Sequence, residues 1–542
     1  MKKYTSPPLI AAAFLFFTSP LLAFQALSVK NAPENPTEFL KKLGELVMID
    51  RQEASAKSFQ AFEKKFKSGG FQEREQERIM TTCNTMREAR LGAQPYFVDY
   101  IRSATAAESG GTSTDPTRFE QWHVCYDGVL AESQKTRKFE PIQRFLDFSA
   151  DFLASNALFL EYNAITWQVD NRDYVWKFDN NTPSVSWQKV QLRASYKKDS
   201  IEIKDTKGTF FPVVNQWIGS GAKITWERFK NNDITCELLD YTIDMSKGFY
   251  HANRAKLHYP ALLERDVEGS FDDKVNFSKS GSEDTYPRFE SFEKRLKINN
   301  IGKNIGYEGG FKLYGLTVFG YGTQEQRAQL TVADGKTGKR AFRSTALQYV
   351  IRKGESILSE AAETAIYFGN DSIYHPSVNL KMDVAKNVLQ VSRGDRASQR
   401  NPFFNSYHHV NMDISKIKWV FDSDSLILGD RSPGYGVNAN NALFESFEYF
   451  SETDYQKFQN IATRNPVTVL KMYAEQVNKR KLNGDEAMRQ INPKMDASMV
   501  QSLISDMVAG GFVNYDPDKN ELELKEKMFH YSLANQIGRA HV

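Results

Sequence analysis

What most constrains this chain is a change of hydrophobic period along its length. From about residue 164 to residue 450, apolar residues return at every second position. Val378, Leu380, Met382 and Val384 alternate with Asn379, Lys381 and Asp383, as in a strand with one buried face. Ala328, Leu330 and Val332 do the same and run into Asp334-Gly335, a hairpin-type turn. Val410, Met412 and Ile414 continue the theme. On either side the period is helical. Phe39, Leu40, Leu43, Leu46 and Val47 share one helical face after a Pro36-Thr37 start signal. Phe145, Phe148, Phe152 and Phe159 mark a second apolar helical face.

That order of periods predicts a multidomain α+β chain. A helical domain is expected over 36–162 and an antiparallel β-rich repeat region over 163–450, built as an elongated sandwich or open roll. A C-terminal unit follows over 465–533. At 542 residues the chain exceeds one typical domain, and its 38 Phe and 24 Tyr favour β-rich architecture. Residues 72–90 read as a charged helix exposed on most sides, and 105–116 as a loop. Within the β region, Ile165-Thr166-Trp167, Val185-Ser186-Trp187 and Ile224-Thr225-Trp226 repeat one pattern. Asp199-Ser200-Ile201, Asp371-Ser372-Ile373 and Asp424-Ser425-Leu426 repeat another. Their irregular spacing excludes a strict short-period solenoid.

The N-terminus sets the compartment. Lys2-Lys3, an apolar run from Pro8 and a small residue at Ala23 form an export signal over 1–23. The run is broken by Thr18, Ser19 and Pro20 and is too short for a bilayer-spanning helix, so cleavage is expected to leave no transmembrane helix. Export makes a Cys83–Cys125 disulfide conceivable; buried free thiols are the alternative, and with Cys236 the count is odd. Residues 537–542 match one reading frame of a sequencing adapter, so the natural protein is expected to continue beyond Gln536.

In the C-terminal unit, three short helices precede a hairpin turning at Asp516-Pro517-Asp518, the layout of a winged helix. The helix that would read DNA, 496–509, carries Asp496 and Asp506 and no Lys or Arg. With export and a net charge of only +3, nucleic acid is excluded as a partner. Gly335-Lys336-Thr337 matches the end of a phosphate-binding loop, but Leu330 stands where that loop needs glycine. Arg393-Gly394-Asp395 is too short a match to carry meaning. His408-His409 is the single histidine cluster and reads as surface imidazoles. The acidic run Glu264, Asp266, Glu268, Asp272 and Asp273 reads as a solvated loop rather than a glycosidase pair.

No catalytic, cofactor-binding or metal-ligating residue is assigned, and no cofactor is expected. One candidate ligand platform remains: Trp167, Trp176, Trp187, Trp217 and Trp226, five of the seven tryptophans. Exposed, they would stack sugars; buried, they fill a core, and the Ile-Thr-Trp parity favours the core.

The helical start, the aromatic β region around Tyr286-Pro287-Arg288-Phe289-Glu290-Ser291 and the C-terminal unit with Phe512 and Tyr515 together resemble large exported proteins of unknown function in Bacteroidota. The resemblance implies a longer chain and transfers no activity. The expected function is a non-catalytic cell-envelope protein, structural or scaffolding, with protein-docking surfaces. The alternative is a carbohydrate-binding or polysaccharide-active protein using the tryptophan segment. Envelope proteins or glycans are the expected partners, and the address is periplasmic, outer-membrane-associated or extracellular.

Overall fold

The structure, a computed structural model, describes residues 35–107, 115, 117–161, 164–275, 285–421, 423–429, 442–459 and 464–531. Residues 1–23, expected to be an export signal, residues 537–542 and most of 105–116 lie outside them. The chain is α+β: helices at the N-terminus, then a large antiparallel sheet.

Six helices open the described chain: α1 Pro36–Val47, α2 Glu53–Lys67, α3 Glu73–Glu88, α4 Val98–Ala106, α5 Arg118–Thr136 and α6 Glu140–Ser155. The start of α1 falls where the sequence placed it, with Asn35 accepting a hydrogen bond from the Thr37 amide at 3.0 Å. Gln72 and Glu75 form a capping box on α3. The α6 helix stops at Asn156, whose left-handed φ of 59° makes it a C-cap. Phe159 therefore belongs to the strand Ala157–Leu160 and not to the α6 face, a correction to the helical reading.

Twenty-four strands between Ala157 and Ser446 pair into one sheet among the described residues. Several strands are long, such as Thr182–Tyr196, Asn231–Asp244 and Ser356–Phe368. Register shifts interrupt each of them near the middle, at Trp187–Leu192, Leu238–Thr242 and Ser359–Thr364. Such bulges bend a strand and increase its twist. Each half of a bent strand then takes its own neighbour. Thr182–Tyr196 pairs with Tyr174–Asp179 through its first half and with Thr166–Val169 through its second. Ser356–Phe368 likewise meets both Gln348–Arg352 and Arg340–Ala346. The sheet thus divides and rejoins around its own interior.

The strand echoes are explained by this meander. Asp199 and Asp371 open their strands directly after hairpin turns at Lys197 (φ 54°) and Gly369 (φ 66°). In the three aromatic triplets, Ile165, Val185 and Ile224 are buried with Trp167, Trp187 and Trp226, and the hydroxyl residue between them points the other way.

One apolar core runs from Phe39 to Ile417, through both the helices and the sheet. The α5 and α6 helices lie against the first strands. Phe145 meets Trp176 at 5.7 Å between ring centres, and Phe148 meets Phe210 at 4.9 Å. Gly128 permits the approach: a Cβ there would stand 2.4 Å from the Phe178 ring. A second core, from Tyr455 to Tyr531, belongs to the C-terminal unit. That unit comprises α7 Glu452–Gln459, α8 Pro466–Val477, α9 Gly484–Ile491 and α10 Ala497–Ala509. Its three strands, Lys481–Asn483, Val513–Asp516 and Glu521–Leu524, pair with the last in the middle. No helix among the described residues is long and apolar enough to cross a membrane.

Candidate functional site

The tryptophan platform is overturned by burial. Trp167, Trp176, Trp187, Trp217 and Trp226 are each 0–3% exposed. Trp176 and Trp187 pack with Phe152 and Tyr174, Trp217 meets Trp187, and Trp226 meets Phe271. Trp167, Trp217 and Trp226 also donate indole N–H bonds, to Lys247 O, the Tyr241 hydroxyl and Gly315 O. No ring face is open to a ligand. Gly208 is required here, because a Cβ would stand 2.4 Å from the Trp217 ring.

The three cysteines are free and buried, so Cys83 and Cys125 form no bridge. Their surroundings differ. Cys83, on α3, sits beside Arg87 and lines a small pocket with Phe39 and Leu43. Cys125, on α5, sits near Ser184 and Asp179 of the first long hairpin, and burial pushes its thiol up to about 12.

The acidic run begins as a loop at Glu264 and Asp266 and continues as a strand. Val267–Lys274 is a strand with Val267, Gly269, Phe271 and Asp273 facing inward. Its carboxylates are paired across the neighbouring strand: Asp272 with His251 at 2.6 Å, Asp266 with His258 at 2.7 Å. Asp273 is 2% exposed and bound to Arg228. His408 and His409 are exposed in a turn, as expected for surface imidazoles. The Asp334 carboxylate accepts from the amides of Lys336 and Thr337, both at 2.7 Å, which makes that segment a turn and not a phosphate loop. Among the described residues no group of three or more His, Cys, Asp or Glu could hold a metal ion.

What the sequence did not reveal is a cleft of about 870 Å³ between the outer face of the sheet and the C-terminal hairpin. Its floor is laid by strand parity. Gln329 pairs in register with Thr345 and Thr345 with Glu363; one row along, Arg343 pairs with Ala365 and Ala365 with Tyr374. All lie on the face opposite Leu330, Phe342 and Ile373. The other wall carries Asn514, Asp516 and Glu523. Asp516 comes within 3.9 Å of Arg327 across the cleft.

Several floor and wall groups keep unused hydrogen-bonding capacity. Among the described residues Arg343 makes one hydrogen bond, from Nε to Gln329 at 3.3 Å, and has no carboxylate partner. Glu363 accepts from Thr345 at 3.2 Å, and Glu523 from Asn514 Nδ2 at 3.3 Å. The Asn514 carbonyl oxygen is buried without a partner. Tyr374 has no hydrogen-bond partner among the described residues, and burial raises its pKa, so the phenol stays protonated.

The C-terminal unit closes the cleft by gripping the sheet. Arg400 donates to Ser505 of α10 at 3.2 Å, Lys525 reaches Asn401 at 3.4 Å, and buried Lys527 pairs with Glu445. Beneath this seat, His375 is fully buried and burial drives its pKa down to about 3. Its Nδ1 accepts from the Ser377 amide, so the neutral ring donates from Nε2 to Asn401 O at 2.7 Å and holds the docking segment. Comparisons with protein-family models, curated proteins and solved structures returned no match.

Proposed function

We propose that this chain is a non-catalytic, exported cell-envelope protein: a folded β scaffold that holds a docking cleft. In this reading the domains are an N-terminal helical domain, a β-repeat region forming an open roll, and a winged-helix-like C-terminal unit. The strand order of that unit, with the last strand central, supports the last assignment. The observation that carries the proposal is the seat of the unit. The helix that a winged helix presents to a ligand, α10, docks through Ser505 on Arg400, beside the Ala397–Gln399 turn that links two strands of the sheet, and the hairpin wing edges the cleft at Asp516. The second half of α10 is thus turned to protein, while Ala497, Met499 and Gln501 in its first half stay exposed and offer no basic residue to DNA. The sugar-stacking alternative through Trp167 to Trp226 has no exposed ring to use.

Fractionation of cells expressing the full chain tests the address. The protein is expected in the envelope or medium, and a version lacking residues 2–23 in the cytoplasm. Cytoplasmic retention of the full chain would overturn the proposal.

A further inference from the structure

From the chemistry of the cleft we infer that its ligand is a short neutral oligosaccharide, bound across the floor formed by Gln329, Arg343, Glu363 and Tyr374. The inference rests on reading the cleft as the docking site and goes beyond it by naming the ligand class.

Charge comes first. The lining holds six basic and six acidic side chains, so the cleft as a whole attracts neither polyanions nor polycations. Hydrogen-bond chemistry comes second. The Arg343 guanidinium, whose Nη groups have no partner among the described residues, carboxylates at Glu363 and Glu523, and the Tyr374 phenol and Asn514 carbonyl, both likewise without a partner there, stand in one cleft. Donors and acceptors interleaved in this way match a ligand whose groups each donate and accept, and a sugar hydroxyl does both. A peptide would bring its own side-chain charges, and the apolar lining its side chains would seek lies in the adjoining groove and not on this floor. Size comes third: about 870 Å³ falls within the range of sites that hold whole small ligands, ~300–1,000 Å³. At one end, Tyr515 and Pro517 also border a second groove of about 730 Å³ lined by Met488, Val500 and Ile504. Tyr515, half-buried between the two grooves, is the aromatic side chain that a pyranose could meet there.

The floor is held rigidly, because each polar residue alternates with a buried one on the same strand. No catalytic step is invoked.

Calorimetric titration of the full chain with short gluco-, manno-, xylo- and N-acetylglucosamine oligosaccharides tests the inference, with an oligogalacturonate and an acidic peptide as charged controls. Saturable binding of at least one neutral member is expected, weakened at least tenfold by Arg343→Ala. Tyr374→Phe, which removes one oxygen, is expected to weaken it several-fold at unchanged thermal midpoint and guards against an Arg343→Ala chain that misfolds. No binding across the neutral panel, binding indifferent to both substitutions, or binding of the charged controls alone would each overturn the ligand assignment. The fractionation experiment is independent of these results, so a failed ligand and a failed address are told apart.

Discussion

Asp147 illustrates how a single side chain can carry a pH dependence in this protein. It lies on α6 near Asp99 and Asp151, and burial first, then the charge and hydrogen bond of Asp99, push its pKa up to about 7. Arg102 pairs with Asp99 at 2.8 Å and with Asp151 at 3.8 Å, which leaves Asp147 as the carboxyl that keeps its proton. The folded pKa exceeds the ordinary aspartate value of about 3.9. The folded state therefore binds the proton more tightly, and its stability falls as pH rises from about 4 to about 7. Asp147→Asn is expected to raise the thermal midpoint relative to wild type at pH 8, with the gain shrinking towards pH 5. A constant difference across that range would refute the assignment. The thiols give a second residue-scale test. Thiol titration in denaturant without reductant should count three per chain, where a Cys83–Cys125 bridge would leave one. Trp217 gives a third. Wholly buried between Trp187 and Tyr241, its replacement by alanine should cost ~3–5 kcal/mol in urea unfolding.

Among the elements, α4 shows how tertiary partners complete what helix propensity leaves undone. The last carbonyls of a helix lack intrahelical donors. Here Lys65 of α2 reaches over the Phe71 ring at 4.5 Å and donates to Thr105 O at 2.8 Å and Ala107 O at 2.7 Å, with Ala104 O at 3.4 Å. Lys65→Met keeps the apolar stem but removes these bonds. It should cost ~1–3 kcal/mol and speed amide exchange chiefly in the last turn of α4. Uniform loss of protection across the whole helical region would show instead that the contact supports the core. The start of α1 was legible because Pro36-Thr37 is a local signal, whereas this C-terminal cap joins residues some forty positions apart and leaves no sequence pattern.

For the molecule as a whole, the informative joint is the seat of the C-terminal unit. Lys527 is 4% exposed and pairs with Glu445 of the strand Leu443–Ser446, donates to Gly510 O at 2.9 Å and covers the Phe512 ring. Removing one partner of a buried pair strands the other charge, at a typical cost of ~3–5 kcal/mol. Glu445→Gln should therefore loosen the unit from the sheet, detected as faster proteolysis between residues 446 and 465 while the sheet core stays protected. Combining it with Lys527→Met should restore much of the loss. Equal proteolysis of wild type and Glu445→Gln would show that the joint does not depend on this pair.

The sequence alone determined what local chemistry controls. Period two gave the strands, down to the inward face of Val378, Leu380 and Met382, and period 3.6 gave α1 and α6. The shared parity of Ile and Trp in the aromatic triplets was already a statement about burial. Turn chemistry at Asp334 and the missing glycine at Leu330 disposed of the phosphate loop. Only the tertiary structure decided which outward faces meet. Gln329, Arg343, Glu363 and Tyr374 occupy ordinary solvent positions on four strands, and strand pairing with the seating of a remote hairpin turns them into a cleft floor. Alternation can also be disguised by a buried ion pair, as in 267–274, where an inward aspartate satisfied by Arg228 made a strand look like an acidic loop. The tryptophans were legible as core, but that α6 helps to cover them was not, because packing between a helix and a sheet depends on three-dimensional neighbours that no local period records.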